Sequence, residues 1–141
     1  MLKGDLRTQR EDVPNNLRIV TMRRAYRILP WGIILLGAVH MVATPSRFET
    51  FNASALWFLS GGIVLLLTGS LNLLNRVYGA SAPGLLWVCR TTNVGMLAFC
   101  GVGGVVTHAT PAELVAVTGL MGAMTVLSWM RPRQMADSQA R

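Results

Sequence analysis

Residues 54–74 read SALWFLSGGIVLLLTGSLNLL, and this stretch decides the fold class of the chain. It runs for 21 residues without a charged side chain. A helix needs about 20 mostly apolar residues to cross the hydrocarbon layer of a bilayer, which is about 30 Å thick. The stretch therefore predicts a membrane-spanning helix.

Three further stretches of the same character lie at residues 28–44, 83–107 and 111–130. The segments that connect them are short, so consecutive helices are expected to be antiparallel neighbours. The sequence thus predicts an all-α integral membrane protein, a four-helix bundle with up-down-up-down topology.

Two of the span ends carry local signals. Pro45 disfavours helical geometry in the residue before it and predicts the end of the first span. Ser46 and Glu49 have capping-box spacing, which predicts a short interfacial turn before the second span. Thr110 and Glu113 have the same spacing, with proline between them at the first helical position, which predicts the start of the fourth span.

The charged residues are unevenly placed along the chain. Of its 13 Lys and Arg residues, seven lie in residues 1–27 and three in residues 131–141. The 103 residues between hold only three cations and two anions, whereas about a quarter of the residues in a soluble protein are charged. This pattern excludes a soluble enzyme, a disordered tail protein and, despite a net charge of +7, a dedicated nucleic-acid-binding protein.

The basic residues also predict the orientation, because Lys and Arg are retained on the cytoplasmic side. With both termini in the cytoplasm, eleven basic residues lie inside, Arg47 alone lies outside, and Arg90 lies within a span. Residues 1–27 are then a basic cytoplasmic arm, and residues 131–141 are a cytoplasmic tail. As an alternative for the arm, residues 17–27 form a helix that lies on the anionic leaflet surface. Twelve Arg against one Lys favours a bacterial protein of the inner membrane.

Small residues predict where the helices pack, because helices in lipid associate through close backbone approach. Gly61, Gly62 and Gly69 mark the second span. The fourth span carries a stripe of small residues at helical spacing, namely Ala112, Ala116, Gly119 and Ala123. These positions predict close packing within the bundle or between copies of the chain.

Arg90 is the residue that most needs explanation, because an ionisable group inside a span is costly and by default marks a functional or paired position. Its long side chain can also snorkel back to the membrane surface without any function. Polar side chains of Asn72, Asn75, Thr92 and Asn93 occur at the same depth. The sequence predicts a polar pocket here that binds an anionic ligand or a lipid phosphate, which Arg90 can hold bidentately.

Two histidines lie on the other side of the membrane from Arg90: His40 is near the outer end of the first span, and His108 closes the third span. Neutral imidazoles from two helices at one depth can ligate haem b or a transition metal. Polar contacts between helices are the simpler explanation of both residues. They are therefore candidate metal ligands only in an alternative hypothesis.

The leading functional prediction is a non-catalytic accessory or ligand-binding bundle. Its expected partners are the bilayer, anionic phospholipid, and either further copies of the chain or a larger membrane protein. Catalytic triads, phosphate-binding loops and zinc-ligand spacings are absent from the sequence, which argues against an enzyme and predicts no cofactor. The alternatives are a haem- or quinone-associated electron-transfer subunit that uses His40 and His108, and a small transporter or channel formed by self-association.

Overall fold

A computed structural model describes the backbone of residues 5–107 and 109–139 and the side chains of residues 20–22, 24–107 and 109–130. Residues 1–4, His108 and residues 140–141 lie outside the described backbone. Within it the chain forms helices and loops and no strand. The four helices are α1 (Asp5–Arg47), α2 (Ala53–Tyr78), α3 (Pro83–Val106) and α4 (Pro111–Gln139).

Each helix contains a segment that is long and apolar enough to cross a membrane. These segments are Val20–Arg47, Ala53–Tyr78, Pro83–Val106 and Pro111–Met130. The predicted all-α class and the four apolar spans are therefore confirmed. Consecutive helices run antiparallel, and each helix packs against its two neighbours in a closed ring, with the most extensive contacts between α1 and α2.

The first helix differs from the prediction at both ends. At its C-terminal end it continues past Pro45 to Arg47. At its N-terminal end it begins at Asp5 and runs without a break past residue 27, so residues 17–27 do not form a separate helix. Proline removes one backbone donor, but side-chain hydroxyls and neighbouring helices make this tolerable in membrane helices. Around Pro45, the Thr44 hydroxyl donates to the His40 carbonyl at 2.9 Å and the Ser46 hydroxyl donates to the Ala43 carbonyl at 2.9 Å.

The starts of α2 and α4 are both capped by side chains. The Ala55 amide donates to the Asn52 Oδ1 atom at 3.0 Å, so Asn52 caps α2, and no interfacial turn forms over residues 46–49. At α4 the predicted capping box is confirmed. The Thr110 amide donates to Glu113 Oε2 at 3.0 Å, and the Glu113 amide donates to Thr110 Oγ1 at 3.3 Å.

Glycines set the close approach of α1 and α2. A Cβ atom at Gly37 would lie 2.6 Å from the Gly62 carbonyl oxygen, and one at Gly62 would lie 2.8 Å from the Gly37 carbonyl oxygen. A Cβ atom at Gly69 would lie 2.8 Å from the Pro30 carbonyl oxygen. The two backbones therefore touch at positions that admit no side chain, as expected of small residues in membrane helices.

The small-residue stripe of α4 has the opposite placement. All four of its members, Ala112, Ala116, Gly119 and Ala123, are exposed on the outside of the bundle. A Cβ atom at Gly119 would have no neighbour within 4 Å. Close packing of this stripe within the described part of the bundle is therefore not observed, and its packing between copies stays a prediction.

The centre of the bundle is filled by side chains from all four helices. The core cluster contains Tyr26, Ile33, Leu65, Met96, Met121 and Met124. Flexible methionine side chains fill irregular gaps of this kind. Large apolar side chains such as Leu35, Leu67, Val102 and Val115 cover the outside, as suits a surface in contact with lipid.

Candidate functional site

A cation lies between α3 and α4, near the end of the bundle where α2 passes into α3. Arg90 is only 8% exposed. Its Nε atom donates a hydrogen bond of 3.3 Å to the Ser128 carbonyl of α4. The side chain of a helical residue points back toward the N-terminus of its helix, so the guanidinium of Arg90 lies closer to the start of α3 than its Cα atom does.

Two indole rings surround the guanidinium. The Arg90 Cζ atom lies 4.6 Å from the ring centroid of Trp129 and 5.5 Å from that of Trp87. The two rings meet edge to face, with centroids 6.1 Å apart. A desolvated cation over an indole gains about 2 kcal/mol. We call this group, Trp87, Arg90, Ser128 and Trp129, the arginine cluster.

The arginine cluster contains no anion. Among the residues whose side chains are described, Arg90 has no salt bridge and only the one hydrogen bond from Nε. The Nη1 and Nη2 groups are left with donors for which this part of the chain supplies no acceptor. A cation that is removed from water without an opposite charge carries a desolvation cost of several kcal/mol. The cluster is thus chemically suited to receive an anion.

Asn72 and Asn93 join α2 to α3 beside this cluster. Asn72 Nδ2 donates to Asn93 Oδ1 at 2.8 Å, and Asn93 Nδ2 donates to Asn72 Oδ1 at 3.0 Å. Asn72 Nδ2 also donates to the Thr68 carbonyl at 2.9 Å, and the Cys89 thiol donates to Asn72 Oδ1 at 3.2 Å. All of these side chains are buried. The two amides satisfy each other and do not turn toward Arg90.

The remaining predicted pocket residues are also separate from Arg90. Asn75 Nδ2 donates to the Tyr26 hydroxyl at 3.0 Å, which joins α2 to α1. Thr92 is half-buried, and its hydroxyl makes no hydrogen bond with the described side chains and backbone. The structure therefore brings Asn72 and Asn93 together, whereas Arg90 contacts α4 and Asn75 contacts α1.

The other end of the bundle contains His40. Its Nδ1 atom is 3.0 Å from the Leu36 carbonyl, and its ring stacks on Phe58 with centroids 4.6 Å apart. Arg47 lies over the same Phe58 ring at 5.5 Å and is 3.8 Å from Glu113 of α4. His108, the other predicted ligand, lies outside the described residues. In the described part of the chain, no three His, Cys, Asp or Glu side chains form a group that could hold a metal ion.

Sequence reasoning missed the tryptophans of the arginine cluster. Trp87 precedes Arg90 by three residues and therefore lies on the same helix face, which is a signal that the sequence does carry. Trp129 and Ser128 carry no such signal, because their place beside Arg90 depends on how α3 and α4 align.

No known protein family, curated protein or solved structure matches this chain.

Proposed function

We propose that this chain is a non-catalytic membrane bundle that binds the anionic group of a ligand at Arg90 and acts as an accessory or ligand-binding protein in the membrane. The observation that carries the proposal is the burial of Arg90 between two indoles and a carbonyl, without a carboxylate among the described residues. Its Nη1 and Nη2 donors, which have no acceptor among the described residues, suit a bidentate acceptor such as phosphate or carboxylate.

Electrostatics supports this function over a purely structural role for Arg90. Cation–π contacts and one carbonyl stabilise the guanidinium but supply no negative charge to neutralise it. A bound anion would supply the missing charge and the missing acceptors together. Charge-assisted hydrogen bonds of this kind contribute about 1.5–3 kcal/mol each.

The available groups support binding rather than catalysis. The amides of Asn72 and Asn93 are paired with each other, and the Cys89 thiol is buried and donates to one of them. In the described part of the cluster there is no carboxylate or histidine beside Arg90 to act as a general base. We propose the cytoplasmic side for the site on the distribution of basic residues, and a bacterial inner membrane on the excess of Arg over Lys.

The test compares Arg90 with Arg47, which also lies over an aromatic ring but is 60% exposed and faces a carboxylate. Wild type, Arg90→Gln and Arg47→Gln are heated in an uncharged detergent, with and without dihexanoyl phosphatidylglycerol or sodium phosphate. A ligand at 100 times its Kd stabilises the folded state by about 2.7 kcal/mol, which raises Tm by several degrees.

We expect at least one of the two anions to raise Tm in wild type and Arg47→Gln and to have no effect in Arg90→Gln. An equal rise in all three proteins, or no rise in any of them, would refute binding at Arg90.

The electron-transfer alternative has a direct test of its own. A haem-binding subunit purified in mild detergent shows a Soret band, and His40→Ala removes it. A colourless wild-type sample grown with haem precursor would eliminate the haem form of that alternative.

A further inference from the structure

We infer that the anion held by Arg90 is the phosphate of an anionic membrane phospholipid, which reaches the arginine cluster sideways from the bilayer. This inference rests on the proposed function and names the ligand class of the same site. Four observations support it: depth, access, charge and the shape of the donor group.

The guanidinium lies at the level where the spans end. It contacts Trp87, which is in the second turn of α3, and it contacts Ser128 and Trp129, which are among the last three residues of the segment Pro111–Met130. Arg and Trp side chains with apolar stems and polar ends are favoured at this depth, beside the lipid headgroups. Lipid phosphates lie at this level, so the phosphate of a lipid reaches the guanidinium without entering the hydrocarbon layer.

The cluster opens to the outside of the bundle and not to its interior. Trp87 is 57% exposed and Trp129 is 48% exposed, so both lie on the outside of the bundle. On the inner side, Cys89 and Asn93 are fully buried, and Asn93 Nδ2 donates to both Asn72 Oδ1 and Cys89 Sγ. A ligand therefore approaches past the two indoles, along the path that is open to a molecule already in the bilayer.

The charge of Arg90 and of the chain segment that follows Trp129 favours an anionic lipid over a zwitterionic one. Helix α4 continues beyond Trp129 to Gln139, and Arg131 and Arg133 follow within its next turn. Basic residues beside an anionic leaflet attract lipids of net negative charge. With no carboxylate against Arg90 among the described side chains, a lipid of net negative charge neutralises the site, whereas a zwitterionic headgroup brings its own cation.

The shape of the donor group favours a phosphate. Indole rings occupy positions over the guanidinium, and Nε is bonded to Ser128, so the Nη1 and Nη2 atoms are the donors left for a ligand. Two donors from one planar group match two oxygens of a phosphodiester. Arg and Lys differ at such a site because an ammonium group cannot make the planar, bidentate contact.

The experiment is native mass spectrometry of the full chain released from mild detergent, titrated with phosphatidylglycerol, phosphatidylcholine or glycerol 3-phosphate. The proteins are wild type, Arg90→Lys, Arg90→Gln, Trp129→Phe and Arg47→Gln. Helix content and Tm are measured for each protein, and Arg90→Lys and Trp129→Phe keep the test decisive if Arg90→Gln does not fold.

We expect wild type to bind phosphatidylglycerol about tenfold more tightly than phosphatidylcholine, because the choline group of phosphatidylcholine places a second cation beside the guanidinium. Arg90→Gln should lose this preference and Arg47→Gln should keep it. Arg90→Lys should bind both lipids more weakly, because an ammonium group lacks the planar bidentate contact, and Trp129→Phe should weaken binding less than the Arg90 variants do. Glycerol 3-phosphate should neither bind nor compete.

Three outcomes would overturn the inference. Glycerol 3-phosphate that binds in an Arg90-dependent way, while the lipids do not, would leave an anion site but refute the lipid as its ligand. Equal, Arg90-dependent binding of both lipids would refute the selection for net negative charge. Binding that no Arg90 variant alters would refute both this inference and the proposed function.

Discussion

Asn72 of α2 and Asn93 of α3 exchange two side-chain hydrogen bonds, of 2.8 and 3.0 Å, in the buried interior of the bundle. Both side chains are fully buried. The pair is a main polar link between the α1–α2 and α3–α4 halves, which otherwise share fewer contacts than the helices within each half. It fixes the relative level of α2 and α3, because a shift by one residue would separate the two amides.

We expect this pair to show measurable coupling in a double-mutant cycle. Asn72→Ala and Asn93→Ala each leave the partner amide buried and less satisfied, so each should lower the free energy of unfolding. Polar contacts between membrane helices couple by about 0.6 kcal/mol on average and by up to about 1.7 kcal/mol. Unfolding in mixed micelles measures the cycle, with exposed Thr91→Ala as a neutral control. Purely additive single effects would show that the amide pair does not act as a unit.

Adjacent glycines of α2 should respond oppositely to alanine. Gly62→Ala places a Cβ atom 2.8 Å from a backbone oxygen of α1, and overpacking of this kind costs about 1–3 kcal/mol. Gly61→Ala meets no atom within 4 Å and should gain up to about 1 kcal/mol, because alanine favours helix over glycine. Thermal unfolding of the two variants gives the comparison. A Gly62→Ala protein as stable as Gly61→Ala would contradict the close contact of α1 and α2.

The capping box of α4 should contribute more to the free energy of unfolding than the ion pair between Arg47 and Glu113. Thr110→Ala removes the acceptor for the Glu113 amide and should cost about 1 kcal/mol. Glu113→Gln keeps an acceptor for the Thr110 amide while it removes the charge that faces Arg47. The Arg47 and Glu113 side chains are 3.8 Å apart and 60% and 50% exposed, so solvent screens the pair and the loss should be smaller than that of Thr110→Ala. Chemical or thermal unfolding of both variants compares the two losses of stability. A larger loss in Glu113→Gln than in Thr110→Ala would contradict the prediction.

The predicted orientation can be tested by labelling the loops. Ser46 and Ser81 are both exposed and lie at opposite ends of the bundle. With both termini in the cytoplasm, Ser46→Cys in intact cells should react with a membrane-impermeant maleimide, and Ser81→Cys should react only after lysis. The native Cys89 is buried and Cys100 is half-buried, so wild type gives the background. If Ser81→Cys alone were labelled in intact cells, the orientation would be the opposite of the predicted one.

The sequence by itself determined the features that depend on a single segment of chain. Residues 54–74 are long and apolar enough to form a span whatever lies beside them, because transfer into lipid depends on the composition of each segment. The capping box of Thr110 and Glu113 is equally local, since both of its hydrogen bonds lie within one helical turn. The prediction that the first span ends at Pro45 was wrong, because neighbouring hydroxyls and helices can sustain a helix past a proline.

Tertiary structure alone decided the relations between helices. The sequence contains both Gly61 and Gly62, but only the rotation of α2 about its axis places Gly62 against Gly37. It contains Arg90 among several asparagines, but the alignment of α3 with α4 gives it Trp129 and Ser128 as neighbours. Rotation and axial shift of rigid helices change every contact between them while leaving each helix intact, so the hydrophobicity of the separate segments does not specify them.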